Sequence, residues 1–200
     1  MELKNIIKWI LQADRLYFYY INLKYHLKLD FQCNKNQIAI FKDVFYHKTY
    51  ETGFPNGLQN GVIVDIGAHY GFFVLYAANH IASNSKIYAV EPSGSNFTRM
   101  QANLNSSTQN QVFMQNIGIS GTTGIRTLFQ SKPQNHSIFS HYIDGMSGGT
   151  QVRCLSLKDF IDDNKIEKID FLKIDCEGAE HEIIQNADFD TLQKCIVISM

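Results

Sequence analysis

Two glycines four residues apart, in Asp65-Ile-Gly-Ala-His-Tyr-Gly71, carry the sharpest chemical signal in this sequence. They follow a branched apolar run at 62–66, so their turn stands at the carboxyl end of a buried strand. Gly67 lets the backbone turn tightly and approach a ligand that a side chain would block. Gly71 lets the next helix start close to the sheet with its free amides pointing outward. Asp65, just before the turn, accepts hydrogen bonds from an amino group or from the loop's own amides. Glu91 ends the next apolar run, 26 residues after Asp65. A carboxylate there can grip both hydroxyls of a ribose. It can equally cap the helix that starts near Ser93 or Ser95.

Ribose binding does not by itself choose a ligand. A dinucleotide turn normally has a middle glycine that admits a pyrophosphate at the helix end. Here Ala68 or His69 occupies that place, and Asp65 adds negative charge beside it. S-adenosylmethionine has no phosphate, and its amine and sulfonium are cationic. The electrostatics therefore favour a methyl donor over NAD.

The reactive side is carried by Asp175-Cys-Glu-Gly178, after the fourth apolar run. Asp175 and Glu177 are the carboxylates best placed to orient or deprotonate a hydroxyl, and His181 is a competing base. Glu177 and Glu180 also fit a structural task, stabilising the first turn of the following helix by their charge. Lys173 shares Asp175's side of the pleat and either pairs with an acid or ends the apolar core. Cys176 reads as packed rather than reactive. Asp175 alone is too few oxygen ligands for magnesium, so the chemistry is expected to be metal-free.

These loops need a sheet to hold them. Strands are expected at 62–66, 86–91, 112–115, 169–174 and 195–199, with helices at 71–82, 94–105 and 179–186 between them. Strands alternating with helices imply an α/β, Rossmann-like, mostly parallel sheet with helices on both faces. Its expected order is 3-2-1-4-5, with the ligand crevice between the first and fourth strands. Residues 121–129 suggest a short hairpin, 131–150 a polar loop, and 151–155 an extended piece leading into a small helix. The first sixty residues read differently: helical spacing covers 2–28 and 35–47, with dense aromatics. The expected division is a helical extension at 1–60 and a ligand-binding domain at 61–200. Aromatics bring large contact area, so the extension is expected to pack on the domain and roof an acceptor site, with contact to a membrane as the other reading.

Composition sets the outer limits. A chain of 200 residues with 44% hydrophobic and 18% charged residues is long enough for one folded domain. A net charge of -1 offers no general field for nucleic acid. The four cysteines are far apart with no CxxC pair, which disfavours structural zinc and a disulfide scaffold. No basic-apolar leader and no long uninterrupted apolar run is read, so a reducing cytoplasm and no transmembrane segment are expected. The sequence reaches Cys195-Ile-Val-Ile-Ser199 and stops at Met200, before the closing hairpin such sheets carry. The expectation is a C-terminally incomplete domain whose exposed fifth strand invites self-association.

Asp65-Ile-Gly-Ala-His-Tyr-Gly71, Val90-Glu-Pro-Ser93, Asn116-Ile-Gly118, Leu155-Ser-Leu-Lys-Asp-Phe-Ile161 and the block from Phe171 to Glu180 together resemble the FkbM-type methyltransferases. The resemblance runs from about residue 61 to the end. It implies a class I fold, S-adenosylmethionine as cofactor, and methyl transfer to hydroxyls of small molecules or carbohydrates. By position, Asp65, Gly67 and Gly71, with Ala68 and His69 between the glycines, would hold the methionine part. Glu91 would take the ribose, with Pro92 and Ser93 lining its pocket, and Asn116 and Ile117 would border the adenine. Asn116 equally fits a turn in which it satisfies backbone groups. His69 stands where the family usually has asparagine. An NAD(P)-dependent oxidoreductase and a catalytically silent cofactor-binding or scaffold protein are the alternatives.

Overall fold

Branched and aromatic runs become strands, and the amphipathic stretches between them become the helices that cover the resulting sheet. The computed structural model describes residues 16, 19–21, 23, 35–51, 53–55, 57–104, 110–131, 135–137, 149–176 and 178–200. Along the chain, helix α1 (Lys35–Phe45) leads into the short strand β1 (Leu58–Gln59) and then β2 (Val62–Ile66). Helix α2 (Phe72–Tyr76), strands β3 (Ala82–Ser83) and β4 (Lys86–Val90), helix α3 (Gly94–Leu104) and strand β5 (Gln111–Gln115) follow. Strands β6 (Gly118–Ile119), β7 (Gly124–Ser131), β8 (Asn135–Ser137) and β9 (Thr150–Leu155) precede helix α4 (Leu157–Asp163). The chain then runs through β10 (Phe171–Ile174), α5 (Glu180–Asn186), α6 (Phe189–Gln193) and β11 (Ile198–Ser199).

The main sheet has five parallel strands in the spatial order β11-β10-β2-β4-β5. Its registers place Lys173 beside Asp65 and Ile174 beside Ile66, while Ile66 also faces Val90. The carboxyl ends of β2, β4 and β10 are therefore level. The turns at 67–71 and 91–93 and residues 175–176 after β10 open at one edge of the sheet.

Side chains alternate across this sheet with a period of two and feed two separate cores. On one face Ile63 and Phe171 pack with α1 and α2 through Phe41, Phe45, Phe72 and Phe73. On the other, Val64, Ile66 and Ile174 pack with Phe160 and Ile183 of α4 and α5. Asp65 and Lys173 share the period of Ile63 and Phe171, so both point toward the α1–α2 face. Within that layer, Phe41 stacks on Phe45 at 4.5 Å and meets Phe72 edge-on at 5.4 Å. The side of α1 that carries Ile38, Phe41, Val44 and Phe45 is buried, as its spacing indicates.

The structure departs from the sequence expectations at several places. The helix expected over 71–82 is α-helical only to Tyr76 and continues as a π-helix over Ala77–Ile81. There the side-chain amide of Asn110 donates to the carbonyls of Ala78 and Ala82, at 2.9 and 3.1 Å, satisfying groups the irregular turn leaves over. Residues 121–129 do not close a hairpin on themselves. Strand β7 instead pairs antiparallel with β9, from Gly124 opposite Cys154 to Leu128 opposite Thr150, and its far end pairs with β8. Local turn signals cannot reveal a partner that distant. The fifth strand is reduced to β11 and a single bridge between Ile169 and Cys195. Helix α6, capped where Asp188 accepts from the Thr191 amide at 2.7 Å, precedes it.

Most of the helix expected over 2–28, and residues 132–134 and 138–148 of the expected polar loop, lie outside the described residues. Among the described residues no helix is long and apolar enough to cross a membrane.

Candidate functional site

The turn after β2 is built from backbone. Gly67 and Gly71 sit at φ +81° and +77°, and His69 between them also adopts a left-handed φ of +51°. The amides of Gly67 and Ala68 both donate to the Val90 carbonyl at 3.0 Å, tying the turn to the end of β4. Glu91 fixes it from the side. One carboxylate oxygen accepts from the His69 amide at 2.9 Å. The other accepts from the Ser93 amide at 2.9 Å and from the Asn96 side chain at 3.4 Å. Burial raises the Glu91 carboxyl above its ordinary range, while the Ser93 and His69 amides pull it back. Glu91 thus caps its own loop, as the structural reading allows, and keeps acceptor capacity, because a carboxylate offers about four lone-pair sites.

Between β2 and β10 runs a charged line. The Lys173 ammonium lies 2.9 Å from one oxygen of Asp65 and 3.5 Å from Asp175. The Asp65 side chain is fully buried, and its second oxygen has no hydrogen-bond partner. Burial drives the Asp65 carboxyl upward, against the opposing pull of Lys173. Burial works to lower Lys173, yet the carboxylates of Asp65 and Asp175 outweigh it and hold the ammonium above its ordinary range. Asp175 is depressed: burial opposes this, but Lys173 and a hydrogen bond from Tyr50 prevail. That bond joins the Tyr50 hydroxyl to the Asp175 carboxylate at 2.5 Å.

Gly67, Ala68, His69, Tyr70, Lys173 and Asp175 line a small open cleft, and Ile40, Val44, Tyr50, Phe72 and Phe73 complete its wall. The cleft therefore joins the glycine turn, the end of β10 and residues 40–50 ahead of the sheet. Its acidic and basic groups, with Asp65 behind them, set two carboxylates against one ammonium. Among the described residues no cluster of three metal-ligating side chains occurs.

The structure brings Asp65, Gly67, Ala68, His69, Gly71, Glu91, Ser93 and Asp175 to this end of the sheet. Pro92 stands beside them on the same turn. Asn116 donates to the carbonyls of Glu91 at 2.8 Å and Pro92 at 3.1 Å, so its side-chain amide is engaged with backbone, and Ile117 follows it half-buried. His181 is exposed on α5 and does not line the cleft. Glu177 lies outside the described residues. Glu180 stabilises its turn by reaching back to accept from the Cys176 and Gly178 amides at 2.9 and 2.8 Å. Burial, then the Glu180 carboxylate, pushes the buried Cys176 thiol up to about 12, which leaves it a packed, protonated group.

Sequence reasoning missed Tyr50, and it left the task of Lys173 open. The lysine had a legible signal, since it sits two residues before Asp175 on a strand expected to neighbour Asp65. Tyr50 had none, because its contact with Asp175 spans 125 residues from a turn before the sheet.

A family model described as the methyltransferase FkbM domain matches residues 65–200. Methyltransferase sdnD of Sordaria araneosa is 28% identical over 210 residues, covering 90% of this chain and 75% of that protein. Methyltransferase 1 of Beauveria bassiana is 27% identical over 191 residues, covering 82% of this chain and 75% of that protein. The crystal structure of a methyltransferase FkbM from Methylobacillus flagellatus KT superposes with a TM-score of 0.46 at 16% identity. That match covers 69% of this chain and 32% of the other, so the matched part spans about a third of that protein's length.

Proposed function

This chain belongs to the FkbM methyltransferase family, and from that premise we propose that it transfers a methyl group from S-adenosylmethionine to a hydroxyl of a small molecule. The observation that carries this reading is the meeting of the glycine turn, Glu91 and Asp175 at one edge of the sheet, beside a cleft lined by Lys173 and Asp175 with the buried Asp65 carboxylate behind them. The residues present fit the cofactor. Glu91 retains acceptor sites for ribose hydroxyls beside its own loop bonds, and the buried second oxygen of Asp65 awaits a donor. Two carboxylates against one ammonium suit a cationic ligand and disfavour a pyrophosphate. The 67–71 turn would hold the methionine part and Glu91 the ribose, with Asn116 and Ile117 bordering the adenine.

When bound, S-adenosylmethionine supplies a methyl carbon already activated by its sulfonium. The chain's own residues then have three tasks. Asp175 accepts a hydrogen bond from the acceptor hydroxyl and takes its proton, and its depressed pKa keeps it ionised for that purpose. Lys173 fixes the carboxylate from below. Phe72, Phe73 and the α1 residues Ile40 and Val44 exclude water from the wall.

Calorimetry with S-adenosylhomocysteine and NAD in parallel tests the reading. Micromolar binding of the first and none of the second is expected, and tighter binding of NAD would defeat it. Replacing Glu91 with alanine removes ribose acceptors and is expected to weaken cofactor binding by about 1.5–3 kcal/mol. The Asp175→Asn protein should bind S-adenosylhomocysteine, which lacks the sulfonium charge, within a few-fold of wild type and lose turnover by about two to four orders of magnitude, the usual span of general-base catalysis. Undiminished methyl transfer in that variant would remove Asp175 from the reaction.

A further inference from the structure

Tyr50 reaches the candidate acceptor side from outside the sheet. Its hydroxyl donates to Asp175 at 2.5 Å, which is the interaction an acceptor hydroxyl would make. Its ring meets Phe73 at 5.3 Å, and the Lys173 ammonium lies 5.0 Å from the ring centre. The backbone on either side is anchored. The Thr49 amide and hydroxyl both bond the Asp43 carbonyl, at 3.2 and 3.0 Å, and the Phe54 amide bonds the Glu51 carbonyl at 3.1 Å. Phe54 is buried with its ring 4.3 Å from that of Phe171. Tyr50 itself is half-buried, so it can leave Asp175 by side-chain rotation without moving the segment that carries it.

Resting on the methyl-transfer reading above, we propose that the acceptor hydroxyl takes the position that the Tyr50 hydroxyl occupies on Asp175, and that the acceptor is an alcohol or phenol on an apolar body. Tyr50 is then a specificity-determining residue that the acceptor displaces. An acceptor that brings no hydrogen-bond donor cannot replace the bond Tyr50 loses, and leaving the carboxylate unbonded is costly. The class of body follows from the wall. Ile40, Val44, Phe72 and Phe73 surround the position, and hydroxyls of a sugar ring pressed against them would be buried without partners. An aromatic or aliphatic body loses nothing there.

The exchange is testable without cofactor and without the natural acceptor, using 4-methylphenol, the free counterpart of a tyrosine side chain. Binding is followed by NMR titration of wild type, Tyr50→Phe and Tyr50→Phe/Asp175→Ala, with melting temperatures recorded for each. Tyr50→Phe keeps the ring and frees Asp175, so 4-methylphenol should bind it roughly ten-fold more tightly than wild type. Toluene, which lacks the hydroxyl, should bind both proteins equally, and the gain should vanish when Asp175 is removed as well. Methyl glucoside should show less than about a two-fold gain, its hydroxyls being unpaired against the apolar wall. Equal affinity of 4-methylphenol for wild type and Tyr50→Phe, a matching gain for toluene, or no binding to either protein would overturn the exchange. A gain for the glucoside equal to that for the phenol would overturn the assigned acceptor class. S-adenosylhomocysteine titrated into the same wild-type sample separates the two levels of inference: its failure to bind defeats the methyl-donor reading, whatever the phenol does.

Discussion

Replacing Lys173 with methionine is expected to destabilise the folded chain by about 3–5 kcal/mol, the range seen when one partner of a buried ion pair is removed. The lysine side chain is 4% exposed and Asp65 is fully enclosed. Methionine keeps most of the volume and takes away only the ammonium, so the loss is electrostatic rather than a cavity. What remains is a carboxylate in an apolar layer whose second oxygen already lacks a hydrogen bond. The pH dependence identifies the cause. Without the ammonium, burial and then the Asp175 carboxylate act on Asp65 unopposed and lift its folded pKa further above the unfolded value. A raised acid stabilises the fold fully below its unfolded pKa and loses that contribution as pH climbs toward the folded value. Denaturant unfolding of the variant should therefore show stability falling from about pH 4 upward, by up to about 1.4 kcal/mol per unit. In the wild type, Lys173 is itself raised, so its contribution persists through neutral pH and is lost only as pH rises through that elevated value. The double variant Asp65→Leu/Lys173→Met should recover most of the stability while losing cofactor affinity. A single variant with unchanged stability at neutral pH would show that the pair carries no structural load.

Part of this site was legible from residue types alone, and the reason is locality. Asp65, Gly67, Gly71 and Glu91 end strands whose apolar runs are contiguous in the sequence, and a parallel sheet brings consecutive strand ends to one edge. Asp175 was reachable the same way. The β2–β10 register that sets Lys173 against Asp65 is a pairing across 108 residues, so sequence spacing left the lysine with two readings. Asn116 illustrates the opposite difficulty. Its type fits a ligand contact and a turn brace equally, and only the bonds to Glu91 and Pro92 show that the brace exists. His181 had the right chemistry and lay close to Asp175 in the chain, yet the helix turns it to solvent. Helical phase could have warned of this: Ile183, two positions on, is the buried member of that turn.

The segment ahead of the sheet contributes more than cover. Phe45 of α1 meets Tyr76 edge-on at 5.4 Å, and the Tyr76 hydroxyl donates to Glu51, next to Tyr50 in the chain. The aromatic layer that buries α1 therefore also sets where Tyr50 emerges. The spacing of Ile38, Phe41, Val44 and Phe45 indicated that α1 packs against the domain, whereas Tyr19 and Tyr20 of the expected aromatic cover are exposed. The direction in which a single turn residue points follows from tertiary contacts on both sides of it.

Gly67→Ala is expected to be the most damaging single-methyl change in the cleft, costing about 2–6 kcal/mol from strained backbone and overpacking together. A Cβ at Gly67 would stand 2.0 Å from the Asp175 carbonyl oxygen and 2.8 Å from its carbonyl carbon, at a φ of +81°. Neither obstacle is a side chain that can rotate away. The Asp175 backbone is held in turn by its amide bond to the Ile66 carbonyl at 3.0 Å. Relief therefore requires the glycine turn and the Asp175 loop to part, and that movement would carry Asp175 away from Tyr50 and Lys173. Gly71 provides the control, with a comparable φ of +77°. There a Cβ would meet Met100 Cγ at 2.9 Å, Leu104 Cδ1 at 3.1 Å and Leu104 Cγ at 3.2 Å, side-chain atoms of the core that must shift by a few tenths of an ångström rather than backbone. Gly71→Ala should cost the left-handed backbone penalty, about 1–2 kcal/mol, plus a smaller cost for repacking Met100 and Leu104, and so less than Gly67→Ala. Thermal unfolding of both variants, with S-adenosylhomocysteine affinity measured on each, separates backbone strain from close approach. If the two alanine variants lose equal stability and equal affinity, φ alone governs both positions, and the contact between the Gly67 turn and Asp175 does not hold the cleft together.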